Sequence, residues 1–153
     1  MATATEQTLV IIKPDAVQRG LVGEITARFE RRGLKIVAMR FEQISEATAA
    51  RHYAEHKGKP FYAGLVEYIT SSPSLLMVLD GPDAIQTTRN IMGKTRPVDA
   101  ELGTIRADFA LQVGRNLVHG SDGPESAARE VALFFGDGGI VQYERAIDRW
   151  VLE

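Results

Sequence analysis

The sequence has no cysteine, so disulfides and thiolate metal centres are both excluded. It has no long apolar run. Leu9 to Ile12 falls far short of the ~18 residues that cross a bilayer. The opening MATATEQTLVIIKPD lacks the basic and apolar stretches of a secretory leader, which points to a cytoplasmic protein with no membrane segment. No excess of positive charge is present: Lys+Arg 18 against Asp+Glu 20 gives a net charge of −2. That argues against a general nucleic-acid coat but leaves local basic patches open. Repeats, low-complexity tracts and linkers are absent too, so the expectation is one domain over residues 1–153. A chain of this length removes roughly 70% of its extended surface from water and needs no staples.

What is present alternates between strands and helices. Thr8–Ile12 reads as a buried strand stopped at Lys13-Pro14. Leu21, Ile25 and Phe29 recur every four residues, an amphipathic helix closed by Gly33. Leu34–Phe41 is a second strand. Ser45 caps a polar helix to about His56, and a helix with Phe61, Leu65, Val66 and Ile69 follows. Ser74–Leu79 is a third strand, Asp83–Met92 a helix, Asn116–His119 a last short strand and Pro124–Phe135 a last helix. Between Gly93 and about Arg115 no period persists, which marks a functional loop or a misread element. The single tryptophan, Trp150, reads as packing. Four strands are too few for a doubly wound sheet covered on both faces. The order predicts an α+β, ferredoxin-like (βαββαβ) antiparallel sheet.

Two glycine motifs carry no nucleotide chemistry. Gly93-Lys94-Thr95 has Thr88 where a phosphate-cradling loop needs glycine, and it follows a helix instead of a strand. GDGG at 136–139 lacks a strand–glycine–helix unit. His52 and His56 lie one helical turn apart, but Tyr53 replaces the glutamate of an H-E-x-x-H pair. A solvated polar face is the simpler reading of them.

His119 is different. It sits at a strand–helix seam, and alternation places it on the same side as Leu117. A satisfied rim histidine fits that position as well as a reactive one. Gly120 and Ser121 lack bulk, so the ring is open to close approach, and Asp122 and the Pro124 helix place free N–H groups nearby for a phosphate. Glu130 lies eleven residues on and can fold back toward the ring. A carboxylate on one ring nitrogen fixes the tautomer and leaves the other as a nucleophile. An imidazole at its ordinary pKa of ~6.5 is roughly three-quarters neutral at pH 7. Lys13, Arg89, Thr95, Arg106 and Arg115 gather at element ends, which suggests an anion site. Lys94 and Arg96 have no assigned role.

NLVHGSD at 116–122, TLVIIKPDAV at 8–17, PFYAGL at 60–65 and GTIRADF at 103–109 together closely resemble nucleoside diphosphate kinases. The resemblance covers essentially the whole chain. It implies His119 as nucleophile toward the γ-phosphate of a nucleoside triphosphate, typically ATP, and ping-pong transfer to a diphosphate. It implies that Glu130 orients His119, that Ser121 bonds Glu130, and that Lys13, Tyr53, Arg89, Thr95, Arg106 and Asn116 contact phosphate, ribose or histidine. Of these, Lys13 and Asn116 reach the sugar, and Arg89, Thr95 and Arg106 the phosphates. Phe61 and Val113 sandwich the base without reading its edge, although Phe61 at helical spacing with Leu65 fits a core position equally. Mg2+ arrives with the nucleotide and has no protein ligand cluster. The resemblance further implies a homohexamer, or a tetramer as in some bacteria, with no obligate nucleic acid. Lys94 and Arg96 stand in the long loop where acidic or variable residues are expected. A histidine-dependent phosphohydrolase and a ferredoxin-like nucleic-acid module are the rival classes. The second wants exposed aromatics on a basic sheet face, for which only Phe41 is on offer.

Overall fold

A computed structural model describes residues 4–153. The order is β1 (Glu6–Ile12), α1 (Pro14–Gln18), α2 (Val22–Arg31), β2 (Lys35–Glu42), α3 (Glu46–His52), α4 (Tyr62–Thr70), β3 (Ser74–Gly81), α5 (Ala84–Met92), α6 (Ile105–Phe109), β4 (Val118–Gly120), α7 (Pro124–Phe135) and α8 (Asp148–Val151). The strands form one four-stranded sheet, ordered β2-β3-β1-β4, and every neighbouring pair is antiparallel. That is the expected ferredoxin-like arrangement.

The apolar runs of β1 and β3 serve two cores at once. Val10 and Ile12 point to one side, with Ile25 and Phe29 of α2 and Ala84 and Met92 of α5. Leu9 and Ile11 point to the other, with Ala49 of α3, Ile69 of α4 and Phe134 of α7. Each such side chain contributes about 1.5–3 kcal/mol when fully buried. Helices therefore cover both faces, against the expectation drawn from strand count. The α3–α4 pair between β2 and β3 and the helix after β4 supply the second layer. The two central strands keep no open face on which bases could stack.

Local chemistry sets most element ends. Ser45 accepts the Thr48 N–H at 3.1 Å and caps α3, which stops at His52. Residues 54–56 continue as a 3-10 turn, so the expected helix to His56 is shorter by a turn. The stretch from Gly93 to Arg115 is not structureless. It holds α6, whose first turn Thr104 caps through the Ala107 N–H at 3.3 Å, flanked by 3-10 turns at 97–99 and 113–115. Five residues are too few to display a helical period. The last strand begins at Val118 and not at Asn116, because Leu117 has φ +75°. Leu117 is therefore outside the strand, and the shared side inferred for it and His119 does not hold.

The tail lies along the outer edge of β2. Val141 donates its N–H to the Val37 carbonyl at 2.8 Å and the Tyr143 hydroxyl donates to Ile36 O at 2.7 Å. Edge groups that would otherwise stay open are thereby paired. Trp150 is 78% exposed under the Arg149 guanidinium, so within one chain it packs into no core. Among the described residues no helix is long and apolar enough to cross a membrane.

Gly120 marks where β4 meets α5. A Cβ there would lie 2.8 Å from Met92 Sδ and 3.2 Å from Thr88 Cγ2. Its lack of bulk serves this packing, not access to the neighbouring ring. Gly120→Ala is expected to lose about 1–3 kcal/mol in urea unfolding. Added to Met92→Ala, which vacates the space, it should cost at least ~0.5 kcal/mol less than alone. Strictly additive losses would show that the two positions do not collide.

Candidate active site

β4 places His119 opposite Ile11 of β1. α7 leaves that strand after Gly123 and brings Glu130 back over it. His119 Nε2 lies 2.8 Å from Glu130 Oε1, and the Ser121 hydroxyl donates to the same oxygen at 2.7 Å. Ser121 Oγ in turn accepts the Leu9 N–H at 3.3 Å. Glu130 and Ser121 are buried, whereas the His119 side chain keeps 28% of its surface open. Burial pushes the Glu130 carboxyl up, but the bond from His119, that ring's charge and the Ser121 hydroxyl together hold it below the usual range. An ionised Glu130 accepts from Nε2–H, which leaves Nδ1 with the free lone pair.

His52 does not belong to the solvated face expected of it. It is 5% exposed, and its ring meets His119 edge-on at 4.9 Å between centroids. Tyr53 at 4.6 Å and Phe134 at 5.5 Å complete the surround. Burial, with His119 nearby, pulls its pKa down to about 3, so the ring is neutral. The signal was available: Ala49 and His52 are three apart on α3, hence on one helical face, and Ala49 is core. His56 is half-buried and lines the same cavity.

Around these groups is a cavity of about 350 Å³, lined among others by Lys13, Tyr53, Arg89, Thr95, Arg106 and Asn116. A hollow of about 940 Å³ beside it shares Glu55, Asp122, Ser126 and Arg129, so the two form one cleft. Arg106 is buried and gives Nε to Asn116 O at 3.2 Å, Nη1 to Gly93 O at 2.9 Å and Nη2 to Val118 O at 2.6 Å. Burial, then repulsion from Arg89, lowers its pKa to about 10. Asn116 accepts from Lys13 Nζ at 2.5 Å and donates to Thr95 O at 2.9 Å. Burial pulls the Lys13 ammonium down to about 8; Asp15 opposes this, while Arg106 and Arg115 add to it. Tyr53 is pushed up to about 12 by burial and by Glu130.

Other expected members stand apart. Phe61 and Val113 are 51% and 53% exposed and do not line the 350 Å³ cavity, so neither is a core residue. Phe61 rests edge-on against His56 at 5.3 Å, and Val113 lies in the 113–115 turn. Arg115 is likewise outside, with its guanidinium 4.4 Å over the Tyr68 ring. Lys94 lines a separate hollow with Arg89 and Glu101, and Arg96 pairs with Asp99 at 3.3 Å. The N–H groups ahead of α7 are not free for a phosphate. Those of Asp122 and Gly123 donate to Ser126 Oγ at 3.2 and 3.0 Å.

The sequence and the fold match a known group of proteins. The family model described as nucleoside diphosphate kinase matches residues 6–140. A nucleoside diphosphate kinase of Methanosarcina barkeri is 63% identical over 92% of this chain and 94% of its own. One of Thermomicrobium roseum is 56% identical over 96% of this chain and 99% of its own. The structure of a halophilic nucleoside diphosphate kinase from Halobacterium salinarum in complex with CDP superposes with a TM-score of 0.95 at 48% identity, covering 98% of this chain and 100% of that one. The match over residues 6–140 and these identities across nearly the whole of both chains show that the chain belongs to the nucleoside diphosphate kinase family.

Proposed function

We propose that the chain moves the γ-phosphoryl group of a nucleoside triphosphate, typically ATP, to a nucleoside diphosphate through His119. The observation that carries this reading is the 2.8 Å bond from His119 Nε2 to buried Glu130. With Nε2 so held, Nδ1 attacks the γ-phosphorus, the bond from phosphorus to the bridging oxygen breaks, and the diphosphate departs with that electron pair. The terminal phosphate oxygen of a second diphosphate then attacks the phosphohistidine and restores the ring. Glu130 offsets the positive charge that the imidazole gains, and Ser121 keeps Glu130 in place. Arg89, Arg106 and Thr95 hold the phosphates, Lys13 and Asn116 the sugar hydroxyls, and Tyr53 bounds the cleft beside the ring. Phe61 and Val113, both open to solvent, suit the two faces of a base without selecting its identity.

Mg2+ belongs to the same reading, carried on the nucleotide. The carboxylates here form no oxygen cage: Glu130 is engaged by His119 and Ser121, and Asp122 by Ser126. When bound with the nucleotide, the ion would supply charge neutralisation at the phosphates that Arg89, Arg106 and Thr95 hold. Self-association, as a hexamer or alternatively a tetramer, is supported by apolar side chains that one chain leaves open. Val98, Leu102 and Leu111 of the long loop are 75%, 92% and 92% exposed. We also read residues 1–153 as a single domain acting on cytoplasmic nucleotides.

Incubation with γ-labelled ATP and no acceptor should yield an acid-labile, base-stable label on the protein, discharged by GDP and absent in His119→Ala. Label persisting in that variant would overturn the assignment, and discharge to water without GDP would make the protein a phosphohydrolase. Binding of ADP to the free protein should weaken as pH rises through about 8, where Lys13 loses its charge. Losing one charge-assisted bond of ~1.5–3 kcal/mol costs roughly 10- to 100-fold in affinity. Lys13→Gln should bind that much more weakly at pH 7 and show no such break in a calorimetric titration.

A further inference from the structure

His52 does nothing in the reaction above, yet it is buried against the reacting ring with Nδ1 unpartnered. One ring nitrogen of His52, one of His119 and one carboxylate oxygen of Glu130 lie within 4.8 Å of one another. Two imidazoles and a glutamate are a donor set suited to Zn2+, and they suit Mg2+ poorly. A tetrahedral ion with bonds of ~2.0–2.1 Å sets its donors ~3.3 Å apart, so ring rotations of at most ~1.5 Å close the set. The fourth position then opens on the cleft.

We propose that His52, His119 and Glu130 bind one divalent transition-metal ion of the Zn2+ class, and that the bound ion blocks phosphoryl uptake by His119. The ion takes the lone pair of His119 Nε2. The proton that this nitrogen shares with Glu130 passes through solvent to Nδ1, so the ring stays neutral overall. Nδ1 then has no lone pair with which to attack phosphorus. Glu130 gives up the bond from His119 but keeps that of the Ser121 hydroxyl to Oε1 at 2.7 Å, and Arg129 Nη2 stands 3.9 Å from Oε2. The site stands on geometry alone; the block rests on the phosphohistidine reading.

Co2+ is the probe, titrated into the full chain with excess Mg2+ and no nucleotide. Expected is one Co2+ per chain with the strong visible absorption of a tetrahedral ion, displaced by Zn2+ and bound at least tenfold more weakly by His52→Ala. No uptake, or equal uptake by His52→Ala, overturns the site. The unaltered protein gives a second reading that does not depend on how that variant folds. Zn2+ should shift the imidazole nitrogen resonances of His52 and His119 and spare those of His56, and the reverse pattern overturns the site. Labelling by γ-labelled ATP should fall in step with occupancy, and full labelling at saturation overturns the block. Absent labelling without any metal would instead defeat the kinase reading and leave the metal site standing.

Discussion

The structure turns on a charge kept out of water. Glu130 is buried, and an isolated carboxylate there would take up a proton. It stays ionised because His119 and Ser121 both bond Oε1, and Ser121 is itself fixed by the Leu9 N–H of the central strand. One oxygen thus ties α7 to β4 and β1. Removing either partner leaves a buried anion short of a donor, the costly direction for such a pair. The same arrangement decides which ring nitrogen is free, so the fold's constraint and the site's chemistry share one bond.

The cations follow a different logic. Arg106 has five N–H donors and gives three of its atoms to the carbonyls of Asn116, Gly93 and Val118. Those bonds knit the end of α5, the long loop and the last strand into a frame that exists before any ligand arrives. Arg89 stands close enough to push the Arg106 pKa down, so two like charges face one cavity. An anion entering that cavity would relieve the repulsion and meet groups already oriented. Arg106 is therefore a structural tie and a source of field together, which a surface arginine is not.

What was legible in the sequence had a period or a strong local signal. α2 and α7 show their repeats, Ser45 and Pro124 mark starts, and NLVHGSD places the histidine. Three things were not legible, each for a physical reason. α6 is five residues long and capped by Thr104, too short for periodicity to appear. His52 hides among polar neighbours, because only the inward side of α3 is buried and the outward side is charged. The two-sided cover of the sheet was lost by counting strands. The unbroken apolar runs LVII and SLLMVL already describe strands buried on both faces. Trp150 stays exposed against the Arg149 guanidinium instead of packing into a core, an outcome that residue type alone does not foretell.

Leu117 explains why the site's two sequence segments act as one. A buried leucine at φ +75° costs on the order of 1–3 kcal/mol and persists only where its surroundings over-determine it. Here they do. Its N–H is held by Asp15 Oδ2 at 3.1 Å and its carbonyl accepts the Lys13 N–H at 2.9 Å. Asp15 is anchored in turn by the Tyr68 hydroxyl. The reversal at Leu117 lets Asn116 turn its side chain to Lys13 and Thr95, while Val118–Gly120 enters the sheet with His119 beside the cleft. A relaxed, extended Leu117 would carry Asn116 into line with the strand and away from Lys13. The strained residue therefore sets the distance between the groups assigned to the sugar and the ring assigned to the phosphoryl group.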